Sequence, residues 1–231
     1  MKYLLIRILG IGVLHAEPVS LFDGKTLAGW EVREGEEKFW KVQDGLITGG
    51  SLEEKVPKNT FLTSSKSYEN FELTYKLRLV KGEAFQNSGM QIRSALDKKH
   101  GIKGYQVDGG IGYWGDLYDE GRRAKLCGAL DPAALKAVAR DWDWNEYRVL
   151  CEGPRIQVWI NGVQVTDFTE KDKTIPADGV LGLQAHGGGK FLTQIKDVMI
   201  NELSPTPDSA KWADAKEIPK PEPVKSSTGK N

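Results

Sequence analysis

Apolar and polar residues alternate along much of this chain, most cleanly from Phe71 to Leu79. There Phe71, Leu73, Tyr75, Leu77 and Leu79 are interleaved with Glu72, Thr74, Lys76 and Arg78. A period of two is the repeat of a strand with one face in a core and the other in water. Tyr147 to Glu152 and Arg155 to Ile160 repeat the pattern around Gly153-Pro154. Asn161-Gly162 then turns the chain, in type I′ fashion, into Val163 to Val165. Trp40 to Val42 and Leu46 to Thr48 flank Asp44-Gly45 as another hairpin, and Asp23-Gly24 and Asp178-Gly179 mark further turns. Strands at this spacing predict an all-β sandwich of two antiparallel sheets.

Helix is scarce. Asp131-Pro132-Ala133-Ala134-Leu135-Lys136-Ala137-Val138 combines an N-cap aspartate, proline at the first helical position and apolar residues three apart, which predicts a two-turn helix inside a loop. The segments 98–104 and 109–131 break the strand pattern and are expected to be loops. From Ser204 to Asn231 the chain is rich in Pro and Lys, and either projects as a mobile extension or lies along the surface as a strap.

Three of the alternating runs carry unusual polar residues. Asn87, Gln91 and Arg93 alternate with Met90 and Ile92, Gln106 and Asp108 with Tyr105 and Val107, and Gln184 and His186 with Leu183 and Ala185. Each run turns apolar residues toward a core and lines amide, guanidinium, carboxylate and imidazole groups along the opposite face, as a sugar site would require.

Composition narrows the reading. Lys+Arg and Asp+Glu each number 32, a formal charge of zero that argues against a nucleic-acid partner. Glycine at 26, with 7 Trp, 7 Tyr and 7 Phe, suits a turn-rich β protein of one domain. Residues 1–16 open with Lys2, continue through a mostly apolar stretch interrupted by Arg7, and end at Ala16 before Glu17-Pro18. They predict a signal peptide, hence a secreted or periplasmic protein, and are too short for an integral membrane span. Residues 17–203 would form the sandwich and 204–231 the extension. Cys127 and Cys151 could form one disulfide, or Cys151 could be a small buried apolar side chain.

Leu21-Phe22-Asp23-Gly24-Lys25-Thr26-Leu27-Ala28-Gly29-Trp30 resembles the opening of the 3-keto-disaccharide hydrolase family. The likeness continues through Phe39-Trp40-Lys41-Val42-Gln43-Asp44-Gly45, Asn87-Ser88-Gly89-Met90-Gln91-Ile92-Arg93, Gly104-Tyr105-Gln106-Val107-Asp108, Trp144-Asn145-Glu146-Tyr147 and Gly182-Leu183-Gln184-Ala185-His186-Gly187. The resemblance implies a concanavalin A-like jelly roll and cleavage of a sugar bearing a ketone at carbon 3. That ketone acidifies the hydrogen on carbon 2, so the glycosidic oxygen can leave by elimination and water can add afterwards. Such chemistry needs a base for a carbon-bound proton and donors or a cation for the enolate.

His186 is the expected base. Arg93, or a divalent metal held by Asp108, Glu120 and His186, would stabilise the enolate, and no organic cofactor is expected. Asn87, Gln91, Gln106, Trp114, Tyr118, Arg122 and Gln184 are the expected sugar contacts. A conventional glycosidase would instead use Asp108 and Glu120 as its carboxyl pair, roughly 5–5.5 Å apart for retention or 6.5–9.5 Å for inversion. Structural alternatives stand beside these roles. Asp108 could cap the turn at Gly109-Gly110, Arg93 could sit in a surface ion pair, Glu120 could be a solvated loop charge, and Trp114 and Tyr118 could cover the core. A non-catalytic carbohydrate-binding module and an envelope interaction domain are the competing functions.

Overall fold

A computed structural model describes residues 17–99, 101–215, 219 and 221 of the chain. The segment read as a signal peptide and His100 lie outside these residues. In chain order the strands are β1 (Val19–Ser20), β2 (Trp30–Val32), β3 (Trp40–Gln43), β4 (Leu46–Ser51), β5 (Thr60–Tyr68), β6 (Phe71–Glu83), β7 (Asn87–Asp97) and β8 (Gly101–Gly110). There follow β9 (Leu117–Glu120), β10 (Ala124–Cys127), helix α1 (Pro132–Val138), β11 (Asn145–Glu152), β12 (Arg155–Ile160), β13 (Val163–Thr169), β14 (Gly179–Ala185) and β15 (Lys190–Glu202).

Two antiparallel sheets pack face to face. One runs β13-β12-β11-β6-β15-β4-β3, with β1 paired to β15, and the other runs β10-β9-β8-β7-β14-β5-β2. The alternation at Phe71 to Leu79 is realised in full, since all five apolar residues are buried and the four polar ones between them are half-buried. Facing them from the second sheet are Met90, Ile92, Tyr105, Val107, Leu181 and Leu183, all within one core. The rings of Tyr75 and Tyr147 stack at 4.8 Å on neighbouring strands. Leu77 sits at the centre of this packing with no exposed surface, so shortening it to Ala would cost about 2–5 kcal/mol.

Local signals account for the connections. Asn161 and Gly162 both have positive φ, 49° and 83°, the backbone that a type I′ turn demands. Asp131 caps α1 by accepting from the amides of Ala133 and Ala134.

Two predicted loops are corrected. Strands β7 and β8 run to Asp97 and from Gly101, so residues 101–104 of the expected loop belong to β8. The segment 109–131 contains β9 and β10, four-residue strands too short to show a periodicity, with β10 at the edge of its sheet and β9 between it and β8. The cysteines are unbonded, with Cys127 ending β10 in one sheet and Cys151 buried in β11 of the other.

Residues 204–215 lie along the surface. Thr206 and Ser209 donate to the Glu69 carboxylate, which also pairs with Lys211, and Trp212 donates its amide to Asp178. Among the described residues no helix is long and apolar enough to cross a membrane.

Candidate functional site

The outer face of the seven-stranded sheet carries the polar residues, and strand register brings them together. Gln91 on β7 lies opposite Gln106 on β8, Gly89 opposite Asp108, and Gln106 opposite Tyr118 on β9. On the other side of β7, Gly89 faces Gln184 of β14. Gln106 therefore reaches across β7 toward Gln184, over a position with no side chain. A Cβ at Gly89 would come within 2.7 Å of the Val107 carbonyl oxygen and 3.0 Å of the Gln106 side chain.

These side chains form a directional chain of hydrogen bonds. Ser94 donates to Gln91 Oε1 at 2.8 Å, Gln91 Nε2 donates to Gln106 Oε1 at 2.7 Å, and Gln106 Nε2 donates to Asp108 Oδ1 at 2.7 Å and Gln184 Oε1 at 3.2 Å. Every amide is thereby fixed in orientation. Two buried atoms of cavity-lining residues have no protein partner, the acceptor Asn87 Oδ1 and, at the end of the chain, the donor Gln184 Nε2. Buried polar atoms are normally satisfied, so a polar ligand with both donor and acceptor groups fits here.

Above this floor opens a cavity of about 310 Å³ lined by Asn59, Phe85, Asn87, Gln106, Asp108, Tyr113, Asp116, Tyr118, Glu120, Lys125, Gln184 and His186. Burial pushes the Asp108 carboxyl up to about 7; Asp116 and Glu120 add to the rise, and the Gln106 donor and Lys125 oppose it. Glu120 is raised by burial and by the neighbouring Asp119. Asp116 is raised by burial against the pull of Lys125, whose ammonium lies 2.6 Å away.

His186 is lowered by burial. Its Nδ1 lies 2.6 Å from the Gly187 carbonyl oxygen, which can only accept, so Nδ1 carries the proton and Nε2 presents a lone pair. The cleft thus holds a neutral imidazole with a free nitrogen and a carboxyl that is half-protonated near neutral pH.

Of the expected residues, Asn87, Gln106, Asp108, Tyr118, Glu120, Gln184 and His186 line the cavity together, and Gln91 supports them from beneath. Arg93 does not join them. Strict alternation would put it beside Gln91, but a bulge in β7 between Ile92 and Ala95 gives Arg93 a φ of 47°. Its guanidinium is turned to the carbonyls of Glu69 and Gly153 and to Asn70 Oδ1, at 2.7–2.9 Å. Arg122 is also displaced, bonded to Asp119 and held between the rings of Tyr105 and Trp212. Trp114 is a core residue whose indole donates to Asp141.

The expected metal set fares differently. Asp108, Glu120 and His186 share the cavity, yet among the described residues no three His, Cys, Asp or Glu side chains stand close enough together to hold an ion. The sequence reading missed Asn59, Phe85, Tyr113, Asp116 and Lys125. Tyr113 lies between Gly112 and Gly115, a loop-tip signal, but which of Tyr113 and Trp114 faces outward depends on the sheet beneath.

The sequence pattern of the 3-keto-alpha-glucoside-1,2-lyase-like domain matches residues 17–201. The chain belongs to this family. Family membership makes it a carbohydrate-active or carbohydrate-binding protein. No curated protein sequence matches it. Among solved structures, a putative glycosyl hydrolase from Parabacteroides distasonis superposes with a TM-score of 0.61 at 22% identity, over 81% of this chain and 94% of that one. A carbohydrate-binding module from Bacillus subtilis gives 0.58 at 16% identity, over 75% and 96%. The exoplasmic/lumenal domain of VIP36, in a form bound to Ca2+ and Man3GlcNAc, gives 0.54 at 12%, over 81% and 90%. These likenesses establish the shared sandwich.

Proposed function

We propose that this protein cleaves 3-keto-glycosides, 3-keto-disaccharides among them, by elimination followed by hydration, in the periplasm or outside the cell. The observation that carries the reading is the pairing, in one cleft, of an imidazole with a free Nε2 and a carboxyl poised near pH 7 above a fixed amide floor. Two groups whose environments suit opposite proton-transfer roles are what an acid/base pair requires.

In this scheme His186 Nε2 takes the proton from carbon 2, and the electron pair of that C–H bond passes into an enolate across carbons 2 and 3. Gln184 Nε2, an unpartnered donor, serves the enolate oxygen. As the ketone re-forms, a double bond develops between carbons 1 and 2 and the bond from carbon 1 to the glycosidic oxygen breaks. Asp108, fixed by Gln106 through Oδ1, gives its proton to the departing oxygen from Oδ2. Water then adds across the double bond to return a 3-keto sugar, with no change of oxidation state overall.

The test is to incubate the protein with a 3-keto-glycoside and with its unoxidised parent, with and without chelator, and follow release of the leaving alcohol. Release from the keto form alone supports elimination. Release from the parent as well favours a conventional carboxyl-pair glycosidase built on Asp108 and Glu120. Loss of release on chelation, restored by one added ion, would require the side chains of Asp108, Glu120 and His186 to close up around that ion. Glycan binding without release from either substrate would make this a binding module, the second reading that the unpartnered floor amides accommodate.

A further inference from the structure

The cleft is not uniform from floor to mouth. Its floor is amide and carboxyl, whereas its rim carries Phe85 and Tyr113, each about two-fifths exposed at 41% and 42%, with Ile111 beside Tyr113 in the same loop at 39%. The two rings meet edge to face at 5.9 Å, and the Phe85 and His186 rings likewise meet edge to face at 4.7 Å. On the other side, the Tyr113 loop is pinned to the acid. The Tyr113 amide donates to the Gly110 carbonyl, the Gly115 amide to the Asp108 carbonyl, and the Asp108 amide to the Asp116 carbonyl. Two aromatic rings therefore line the cavity, Phe85 against the proposed base and Tyr113 in a loop bonded to the backbone of the proposed acid.

We infer that Phe85 and Tyr113 form the leaving-group subsite and select glycosides whose departing alcohol is flat and apolar, phenolic aglycones above all. This rests on the elimination reading above. The oxidised sugar, rich in hydroxyls, matches the floor, where Asn87 Oδ1 and Gln184 Nε2 await partners. The leaving oxygen must approach Asp108, so the group attached to it emerges beside Tyr113. Both rings line the cavity and are part-exposed, and an aromatic ring packs against such rings favourably while a small hydrophilic alcohol gains little. Both residues are exposed enough to be truncated without opening the core, so their loss reports on recognition.

The experiment compares kcat/KM for a 3-keto-glucoside of a phenol and for the methyl 3-keto-glucoside, in the wild-type protein, Phe85→Ala, Tyr113→Ala, the double variant and Tyr113→Phe. The wild type should prefer the phenyl substrate. The double variant should lose about tenfold more on the phenyl than on the methyl substrate, and Tyr113→Phe should keep the wild-type preference because the ring is what stacks. Equal losses on both substrates, or no loss on either, would overturn the inference while leaving the elimination reading intact. Turnover of neither substrate by the wild type would overturn that reading, and this inference with it.

Discussion

Replacing Asp108 with Asn should make the protein more stable, and more so as the pH rises. The carboxyl is buried, with 5% of its surface exposed, and its pKa is pushed from an ordinary 3.8 up to about 7. Below about pH 4 the folded and unfolded chains both hold its proton, and the group does not affect their balance. Between about pH 4 and pH 7 the folded chain keeps a proton the unfolded chain has released, so stability falls with rising pH by up to about 1.4 kcal/mol per pH unit. Above about pH 7 the fall is complete and amounts to roughly 4 kcal/mol. Asparagine cannot ionise, and its Oδ1 can still accept the hydrogen bond from Gln106 Nε2. Urea unfolding of both proteins at about pH 4.5 and about pH 8 would measure the difference, which should be about 1 kcal/mol in acid and roughly 4 kcal/mol in base. A stability gap that is the same at both pH values would refute the assignment of a raised pKa to Asp108. The same substitution should remove the proton donor and depress turnover, the usual antagonism between a strained site and a stable fold.

Other outcomes follow from the same geometry. Turnover should trace a bell against pH, with an acid limb below the usual histidine value of 6.5 as His186 protonates and an alkaline limb near 7 as Asp108 loses its proton. Gln106→Ala removes a donor that lowers the Asp108 pKa and should move the alkaline limb upward, read from the pH dependence of kcat. His186→Gln should lower kcat by about 10²–10⁴ while leaving the circular dichroism spectrum unchanged. Arg93→Met should cost about 2–5 kcal/mol in urea unfolding, because the Glu69 and Gly153 carbonyls lose the Arg93 donor and Asn70 Oδ1 keeps only the Gly153 amide, while kcat per folded molecule holds.

The sandwich was legible because its strands obey a strict period. Phe71 to Leu79, the β11 to β13 meander and the Asn161-Gly162 turn follow from local sterics and burial alone. Strand β5 was not legible, since Thr60, Thr63, Ser64 and Ser65 blur its alternation and its burial comes from neighbours on both sides. Within the site, Asn87, Gln106, Asp108, Gln184 and His186 were found because register preserves parity from strand to strand. Arg93 was misplaced because one bulge breaks that parity, and nothing in Gln91-Ile92-Arg93-Ser94 announces a left-handed residue in mid-strand. Phe85 and Tyr113 lie on loops, where side-chain direction is set by what the loop packs against.

An amide neither gains nor loses a proton in the range where proteins remain folded. The row running from Ser94 through Gln91 and Gln106 therefore holds the Gln184 amide toward the cavity in the same orientation in weak acid and in weak base. In the proposed reaction the amides keep one protonation state at every working pH, and only His186 and Asp108 titrate. Affinity for a non-reacting sugar should accordingly stay level across the pH interval in which turnover climbs and collapses.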